Sequence, residues 1–273
     1  TGFWLHLLEM QKTFVAINTE LSWIPELLYA FDIQGKPFNL TILSEKHISI
    51  VNEVWPKNLF QVSYVGIQGH LSDPMGFSDK QAHPLEAIRL GQIHKNIEQA
   101  EPVLRNADLA FIDLNILKSS EIPGIENVGS SGLSSEQLSQ LCRYLGFSEK
   151  LKAIAFYGIP ETDHLSPQVA DICAQALWYF YQGTTARRLD YPIRKEHLIE
   201  YLVESSNNNP TVKFFKSDLS DRWWFKIPGQ LPRDFATHGL YPCSFEEYEQ
   251  TCFGEIPDRL ISAMHRYDQL RKE

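Results

Sequence analysis

Apolar and amphipathic segments alternate along residues 1–185, which predicts strands and helices in turn. Short apolar runs predict five strands, at residues 13–17, 38–43, 60–67, 109–114 and 151–157. Amphipathic segments predict helices at residues 1–11, 25–31, 84–101, 134–146 and 166–182. Because strands alternate with helices, we expect an α/β fold of three layers, with a mostly parallel sheet between two layers of helices.

The pattern changes after Gly183. A linker at residues 187–192 leads into a predicted helix at 195–203. Strands at 212–216 and 222–227 are expected to pair as an antiparallel hairpin, and helices from residue 242 and over 256–270 follow. The sequence therefore predicts an α/β domain over residues 1–185 and a small α+β C-terminal extension over residues 186–273.

The overall composition argues against several classes of protein. The chain has 273 residues, of which 43% are hydrophobic, with a net charge of −9 and a pI near 5.5. An acidic chain is a poor match for nucleic acid or an anionic membrane, and no apolar run is long enough to cross a bilayer. None of the four cysteines forms a Cys-x-x-Cys motif, so we expect reduced core cysteines in a cytoplasmic protein.

Two polar side chains end the apolar run at residues 107–117 and are the first candidates for chemistry. Asp113 and Asn115 are two residues apart, so in a strand they project from the same side. They lie at the carboxyl end of the predicted strand, where ligands bind in open α/β sheets. A pair of aspartates there would hold metal ions, but here the second carboxylate is replaced by an amide.

Five segments follow one another in an order and spacing that is informative: Tyr64-Val-Gly-Ile-Gln68, Ala87-Ile-Arg-Leu-Gly91, the run from Asp108 to Leu117, Gly132-Leu133 before a helix, and Tyr157-Gly-Ile-Pro160. Together they resemble the arginase/agmatinase/formimidoylglutamase family, the ureohydrolases. Arg222-Trp-Trp-Phe-Lys-Ile-Pro228 and Glu255-Ile-Pro-Asp-Arg259 resemble the C-terminal extension of a divergent, formimidoylglutamase-like branch. The resemblance implies an arginase-like fold that is often oligomeric. It also implies further upstream residues, so we expect the strand at 14–17 to be interior and covered by an upstream segment or another chain.

The resemblance also implies which positions would form a metal site. Enzymes of the family hold two Mn²⁺ ions, and a bridging hydroxide attacks the substrate carbon. The ligand positions fall here on Leu21, Ser44, Lys46, Ile48, Asp113 and Asn115, and the substrate-orienting position falls on Tyr157. Only Asp113 keeps the expected type, since leucine and isoleucine cannot bind a metal and lysine repels one. We therefore expect a vestigial pocket with no metal and no other cofactor.

A second alignment of one motif stays open. Shifting it by one residue places Glu45 and His47 on one side of the strand end, where with Asp113 they would form a three-ligand Mn²⁺ site. The alternative function is then a metal-dependent hydrolase of non-peptide C–N bonds, formimidoylglutamase-like or arginase-like, with a reduced metal site.

The first alignment instead predicts a catalytically inactive protein, a pseudoenzyme that acts as a scaffold or small-ligand-binding subunit. We expect a protein partner or self-association, and a small molecule in the old active-site pocket. Without a metal, a buried Asp113 carboxylate would need another cation. Lys46 falls on the adjacent strand end, so we expect its ammonium to approach Asp113, with Asn115 or Tyr157 completing the hydrogen bonds.

Other motifs are less specific. Gly66-Ile-Gln-Gly69 predicts a tight turn, because it lacks a phosphate-loop pattern. His70, Asp73 and His83 share a loop that either binds a metal or is simply solvated. Trp223-Trp224 either anchors a partner or alternates across a strand with one ring in the core.

Overall fold

The computed structural model describes residues 2–10, 12–17, 22–48, 56–72, 85–123, 128–159, 166–204, 211–229, 231 and 233–270. The chain divides into two compact units, Thr1–Ala186 and Arg187–Glu273. None of the helices in these described stretches is long and apolar enough to span a membrane.

The first unit is built on a six-stranded sheet in the order β1-β6-β5-β2-β3-β4, in which each strand pair is parallel. Its strands are β1 (Phe14–Ile17), β2 (Phe38–Leu43), β3 (Leu59–Ile67), β4 (Leu85–Arg89), β5 (Leu109–Asp113) and β6 (Ala153–Tyr157). The helices are α1 (Gly2–Glu9), α2 (Ile24–Ile33), α3 (Leu90–Lys95), α4 (Glu101–Arg105), α5 (Ser135–Gly146) and α6 (Pro167–Thr185). Parallel strands need a crossover between them, and most of these helices provide it.

Both faces of the sheet are covered, because alternate residues of its strands enter two separate hydrophobic cores. In β5, Ala110 and Ile112 belong to one core, and Leu109 and Phe111 belong to the other. This is the two-residue repeat that a strand imposes. Side chains of α5 and α6 complete the first core, and those of α1 and α2 complete the second. The predicted three-layer α/β fold with a mostly parallel sheet is therefore confirmed.

The long helix predicted over residues 84–101 is wrong. The segment begins as β4, which pairs in parallel with β3, and continues as the short helix α3. A 3₁₀ turn at Ile97–Ala100 then leads into α4, whose first turn contains Pro102. The pattern is ambiguous because a short apolar run suits either a strand or one face of a helix, and the edge of β3 decides in favour of the strand. Pro102 is tolerated in the first turn of α4, because the backbone nitrogens of a first turn donate no hydrogen bond within the helix.

The second unit contains an antiparallel four-stranded sheet in the order β10-β9-β8-β7. Its strands are β7 (Leu198–Val203), β8 (Val212–Ser217), β9 (Trp223–Lys226) and β10 (Leu240–Cys243), and its helices are α7 (Phe245–Cys252) and α8 (Asp258–Leu270). The predicted pairing of β8 with β9 is confirmed. The helix predicted at 195–203 is wrong, because this segment is β7 and pairs with β8. Trp223 and Trp224 are both buried, at 7% and 2% exposure, so neither is the exposed anchor that one interpretation required.

Strand β1 lies at one end of the strand order, where the resemblance had placed an interior strand. Among the described residues it pairs with β6 alone. Two apolar side chains, Val15 and Ile17, are 41% and 54% exposed. The cover expected over this strand stays a prediction.

Candidate functional site

The sheet brings four of the expected pocket residues together at its carboxyl edge. Strands β6, β5 and β2 are neighbours, and Asp113 is in register with Tyr157 at the ends of β5 and β6. Ser44 directly follows β2, and Asn115 lies in a 3₁₀ turn that begins after Asp113. Ligands of open α/β sheets bind at this edge, so the residues lie where a site is expected.

The Asp113 carboxylate is buried, at 4% exposure, and accepts three hydrogen bonds from uncharged groups. Its Oδ2 accepts from the Ser44 hydroxyl at 3.1 Å. Its Oδ1 accepts from the backbone N–H of Asn115 at 3.0 Å and from the side-chain Nδ2 of Asn115 at 2.8 Å. Burial raises the pKa of Asp113, and these hydrogen bonds oppose the rise. The carboxylate is therefore satisfied by neutral donors from its own sheet edge.

The ion pair expected between Lys46 and Asp113 is wrong. Lys46 is exposed, and among the described residues no ion pair joins it to Asp113. Its charge still lowers the pKa of Asp113, but less than the hydrogen bonds from Asn115 and Ser44 do. The Lys46 backbone N–H points inward instead and donates to the Ser44 hydroxyl at 3.4 Å.

Tyr157 and the following glycine close the site from the β6 side. The Tyr157 hydroxyl is buried beside the Ser44 hydroxyl and the Asp113 carboxylate, and hydrogen bonding with both affects its pKa. Its pKa is raised well above the usual value, first by burial and then by the Asp113 charge, so the phenol stays neutral. Gly158 has a φ of +78°, and a Cβ there would lie 2.7 Å from Asp113 Oδ1 and 2.9 Å from Asn115 Nδ2. The backbone therefore approaches the carboxylate too closely for any side chain at this position.

Glu45 and His47, the other two ligands of the second alignment, contact residues in or just after β3. Glu45 is 3% exposed, and burial raises the pKa of its carboxyl group, which Lys46 lowers and Asp113 raises. Gln68 Nε2 is 3.5 Å from Glu45 Oε2, and the Gln68 N–H donates to the Glu45 carbonyl at 2.8 Å. The His47 ring packs against the ring of Tyr64, with centroids 4.7 Å apart.

Ile48 and Leu21 are the remaining positions of the expected pocket. Ile48 is buried, and its N–H donates to the Tyr64 hydroxyl at 3.4 Å, so it has a place in the core and none in a metal shell. Burial raises the pKa of Tyr64 to about 12. Leu21, Asp73 and His83 lie outside the described residues.

The residues present do not fit a pair of Mn²⁺ ions. Within the described part of the chain, no group of three or more His, Cys, Asp or Glu side chains is arranged to hold a metal, so Glu45, His47 and Asp113 do not form such a group. Manganese prefers carboxylate and imidazole ligands, whereas Asp113 is surrounded by a hydroxyl, an amide and a phenol. The geometry suits hydrogen bonding to a small polar group better than metal binding.

A cavity that the sequence analysis did not predict lies at the carboxyl ends of β3 and β4. Its volume is about 600 Å³, and Gln68, His70, Arg89, His94, Lys118 and Ser131 are among the residues that line it. The signal in the sequence was the glycine-rich turn after β3, together with Arg89 directly before Leu90-Gly91. Both segments were noted as parts of a resemblance, and neither was assigned to a ligand.

Sequence comparison identifies no relatives: no protein-family model matches the chain, and no curated protein matches it. Solved structures do match its fold. Formimidoylglutamase from Bacillus subtilis is 13% identical, with a TM-score of 0.56 over 68% of this chain and 66% of its own. A Trypanosoma cruzi formiminoglutamase crystallised with Mn²⁺ is 14% identical, with a TM-score of 0.57 over 68% of this chain and 70% of its own.

The similarity extends beyond the formimidoylglutamases. Helicobacter pylori arginase is 14% identical, with a TM-score of 0.51 over 66% of this chain and 76% of its own. At such low identity these matches establish the arginase-like α/β fold and nothing about the site. The chain spans only about two thirds of the length of the Bacillus subtilis protein.

Proposed function

We propose that this chain is a catalytically inactive protein with a ureohydrolase-like fold, which acts as a scaffold or small-ligand-binding subunit. The observation that carries the proposal is the set of three neutral hydrogen bonds to Asp113. In an enzyme with two metal ions, a carboxylate at this position would bind metal through its oxygens. Here Ser44 and Asn115 donate hydrogen bonds to both oxygens, and among the described residues Asp113 is not part of any group of three or more His, Cys, Asp or Glu side chains that could hold a metal.

The chemistry of the remaining groups supports the same proposal. Hydrolysis of a C–N bond at neutral pH needs a strong nucleophile, and a metal provides it by lowering the pKa of bound water. Ser44, Asn115 and Tyr157 are neutral, and none of them can lower the pKa of water in this way. The buried Tyr157 hydroxyl stays protonated beside Asp113 and Ser44, which suits the binding of a small polar molecule and gives no route to its hydrolysis.

We also infer that the protein works in the cytoplasm and as part of an assembly. All four cysteines are free thiols, three of them buried, which suits a reducing compartment. The exposed Val15 and Ile17 on the terminal strand β1 favour contact with another chain or segment over a bare sheet surface.

Metal content and activity test the central proposal. We expect the purified protein to contain far less than one manganese per chain, and added Mn²⁺ to leave its melting temperature unchanged. We expect no release of urea or formamide from arginine, agmatine or formimidoylglutamate, with a manganese-loaded arginase assayed in parallel as a positive control. Close to two manganese per chain, or turnover of any of these substrates, would overturn the proposal and favour the hydrolase alternative.

A further inference from the structure

The cavity beside β3 and β4 has the size and position of a small-molecule site. Its volume of about 600 Å³ falls within the range of about 300–1,000 Å³ that is usual for ligand pockets. Its walls come from three segments: the loop after β3, the start of α3 after β4, and the loop that follows β5. All three lie at the carboxyl edge of the parallel sheet, where ligands of such sheets bind.

Hydrogen bonds between the three segments hold the walls in place. Gln68 Nε2 on the first wall donates to the Ser131 carbonyl on the third at 3.1 Å. His94 on the second wall donates from Nε2 to the Gly132 carbonyl on the third at 3.3 Å. Within the third wall, Gly132 packs closely against the backbone, since a Cβ there would lie 2.6 Å from the Ile116 carbonyl oxygen. A site fixed by such bonds loses little entropy when a ligand binds.

The charge of the cavity is opposite to that of the chain. Its lining residues include Arg89, Lys118 and two imidazoles, and none of the described lining residues is Asp or Glu, although the whole chain has a net charge of −9. Among the residues that the structure describes, neither Arg89 nor Lys118 forms an ion pair. Glu45 does not line the cavity, but its carboxylate lies next to it: Gln68 contacts it, and the charge of His70 lowers its pKa. Cations without a counterion that share a concave wall attract an anion.

The side chain of Gln92 offers a further hydrogen-bond donor in the cavity. Gln92 accepts the N–H of Arg89 through Oε1 at 2.8 Å, which leaves its Nε2 amino group available to a ligand. Ile67 and Leu90 add an apolar part to the lining. The combination of cationic, amide and apolar groups suits a small organic anion better than a metal ion, which these cations would repel.

We propose that this cavity binds a small anion, whose carboxylate or phosphate oxygens contact Arg89 and Lys118 and whose apolar part lies against Leu90. The site is separate from the Asp113 pocket, so the proposal holds whether or not that pocket has any activity. Arginine recognises carboxylate and phosphate in the same bidentate manner, and the experiment distinguishes the two.

Calorimetric titration of the full chain with pyrophosphate and with glutarate, at constant ionic strength, tests the proposal. We expect saturable binding of one of the two, at one anion per chain, with a dissociation constant below about 1 mM, a value typical of a weak specific site. The double variant Arg89→Gln/Lys118→Gln should weaken that binding at least about tenfold. Preference for pyrophosphate would identify a phosphate site, and preference for glutarate a carboxylate site.

A matched control separates a specific site from general charge. The double variant Lys36→Gln/Lys95→Gln removes the same two charges from exposed positions outside the cavity, one of them on α3 itself. It should change the dissociation constant less than about twofold, because exposed charges that do not line the cavity are screened by salt and contribute little to binding. The urea midpoints of both variants should match that of the wild type. No saturable binding of either anion, or equal weakening in both double variants, would overturn the proposal.

Discussion

The two ends of strand β5 each have a buried aspartate, and the two carboxylates are stabilised in different ways. At the amino end, Asp108 lies 3.3 Å from the ammonium of Lys150 and accepts the N–H of Asn39 at 2.9 Å. At the carboxyl end, Asp113 has only neutral donors from Ser44 and Asn115. Burial raises the pKa of both carboxyl groups, and the main opposing effect is a cation at Asp108 but a backbone amide at Asp113.

The difference suggests two roles: Asp108 stabilises the fold through an ion pair, whereas Asp113 occupies a position where a metal ligand was expected. Asp108 and Lys150 are a partnered ion pair, and removal of either one leaves a buried charge. Asp113 lies where the resemblance places a metal ligand, yet its surroundings supply hydrogen bonds in place of positive charge. Neutralising Asp108 should therefore cost much stability and neutralising Asp113 little, although the two aspartates lie at the ends of the same strand.

The largest expected effect comes from breaking the ion pair. Asp108→Asn should lower the free energy of unfolding by about 3 kcal/mol at pH 7, because the buried Lys150 ammonium loses its counterion. Urea denaturation measures this loss. The double variant Asp108→Asn/Lys150→Met should recover part of the lost stability. A loss of less than about 1 kcal/mol in the single variant would contradict the prediction, because that value is typical of weak ion pairs on the surface.

A side chain on Gly158 should have the next largest effect. Gly158→Ala combines a positive φ with a contact of 2.7 Å to Asp113 Oδ1, so we expect a loss of about 2–3 kcal/mol in stability. Gly69→Ala is the control, since a Cβ there meets nothing within 4 Å. Equal stability of the two variants in thermal melts would show that the loop after β6 does not close over the carboxylate.

A second carboxylate beside Asp113 tests whether neutral donors are required there. Asn115→Asp replaces a donor to Asp113 Oδ1 by a like charge, so we expect a loss of about 1–2 kcal/mol at pH 8. The loss should shrink near pH 5, where the two carboxyl groups can share a proton. Asn115→Ala removes the donor without adding a charge, so it lacks the repulsion between two carboxylates and its loss at pH 8 should be smaller than that of Asn115→Asp. A pH-independent loss in Asn115→Asp would argue against contact between the two groups.

The smallest effect is expected for Asp113→Asn. An amide can keep the hydrogen bonds, since the Ser44 hydroxyl can accept as well as donate, so stability at pH 7 should change by less than about 1 kcal/mol. The folded pKa of Asp113 is raised above 3.8, so its contribution to stability is greatest below that pH and is lost as pH rises through the folded value. The variant should lack this contribution, and denaturation at pH 4 and pH 7 would reveal the difference. A loss of more than about 2 kcal/mol at pH 7 would mean that the charge itself stabilises the fold.

Much of the α/β unit could be predicted from the sequence, because its strands are continuous apolar runs separated by helical segments. The placement of Asp113 and Asn115 at a strand end followed from the same pattern. Strands β4 and β7 were predicted as helices, since their short runs fit both periods and only pairing with β3 and β8 decides between them.

The site itself was less predictable, because it depends on which donors are closest in space. Lys46 was assigned to Asp113 from its charge and its place on the adjacent strand end, whereas the backbone N–H of Asn115 and the hydroxyl of Ser44 donate to the carboxylate directly. The cationic cavity was missed for a related reason. Its walls come from three segments far apart in the chain, and only the sheet order brings Arg89 and Lys118 to one space.

The most direct test of the central claim is the unfolding free energy of the wild type and of Asp113→Asn, each measured with and without 1 mM Mn²⁺, a concentration about a thousandfold above a micromolar dissociation constant. We expect Mn²⁺ to change the unfolding free energy of neither protein, and we expect the two free energies to differ by less than about 1 kcal/mol at pH 7. Stabilisation of the wild type by about 4 kcal/mol with Mn²⁺, abolished in Asp113→Asn, would show that Asp113 holds a metal and would contradict the account.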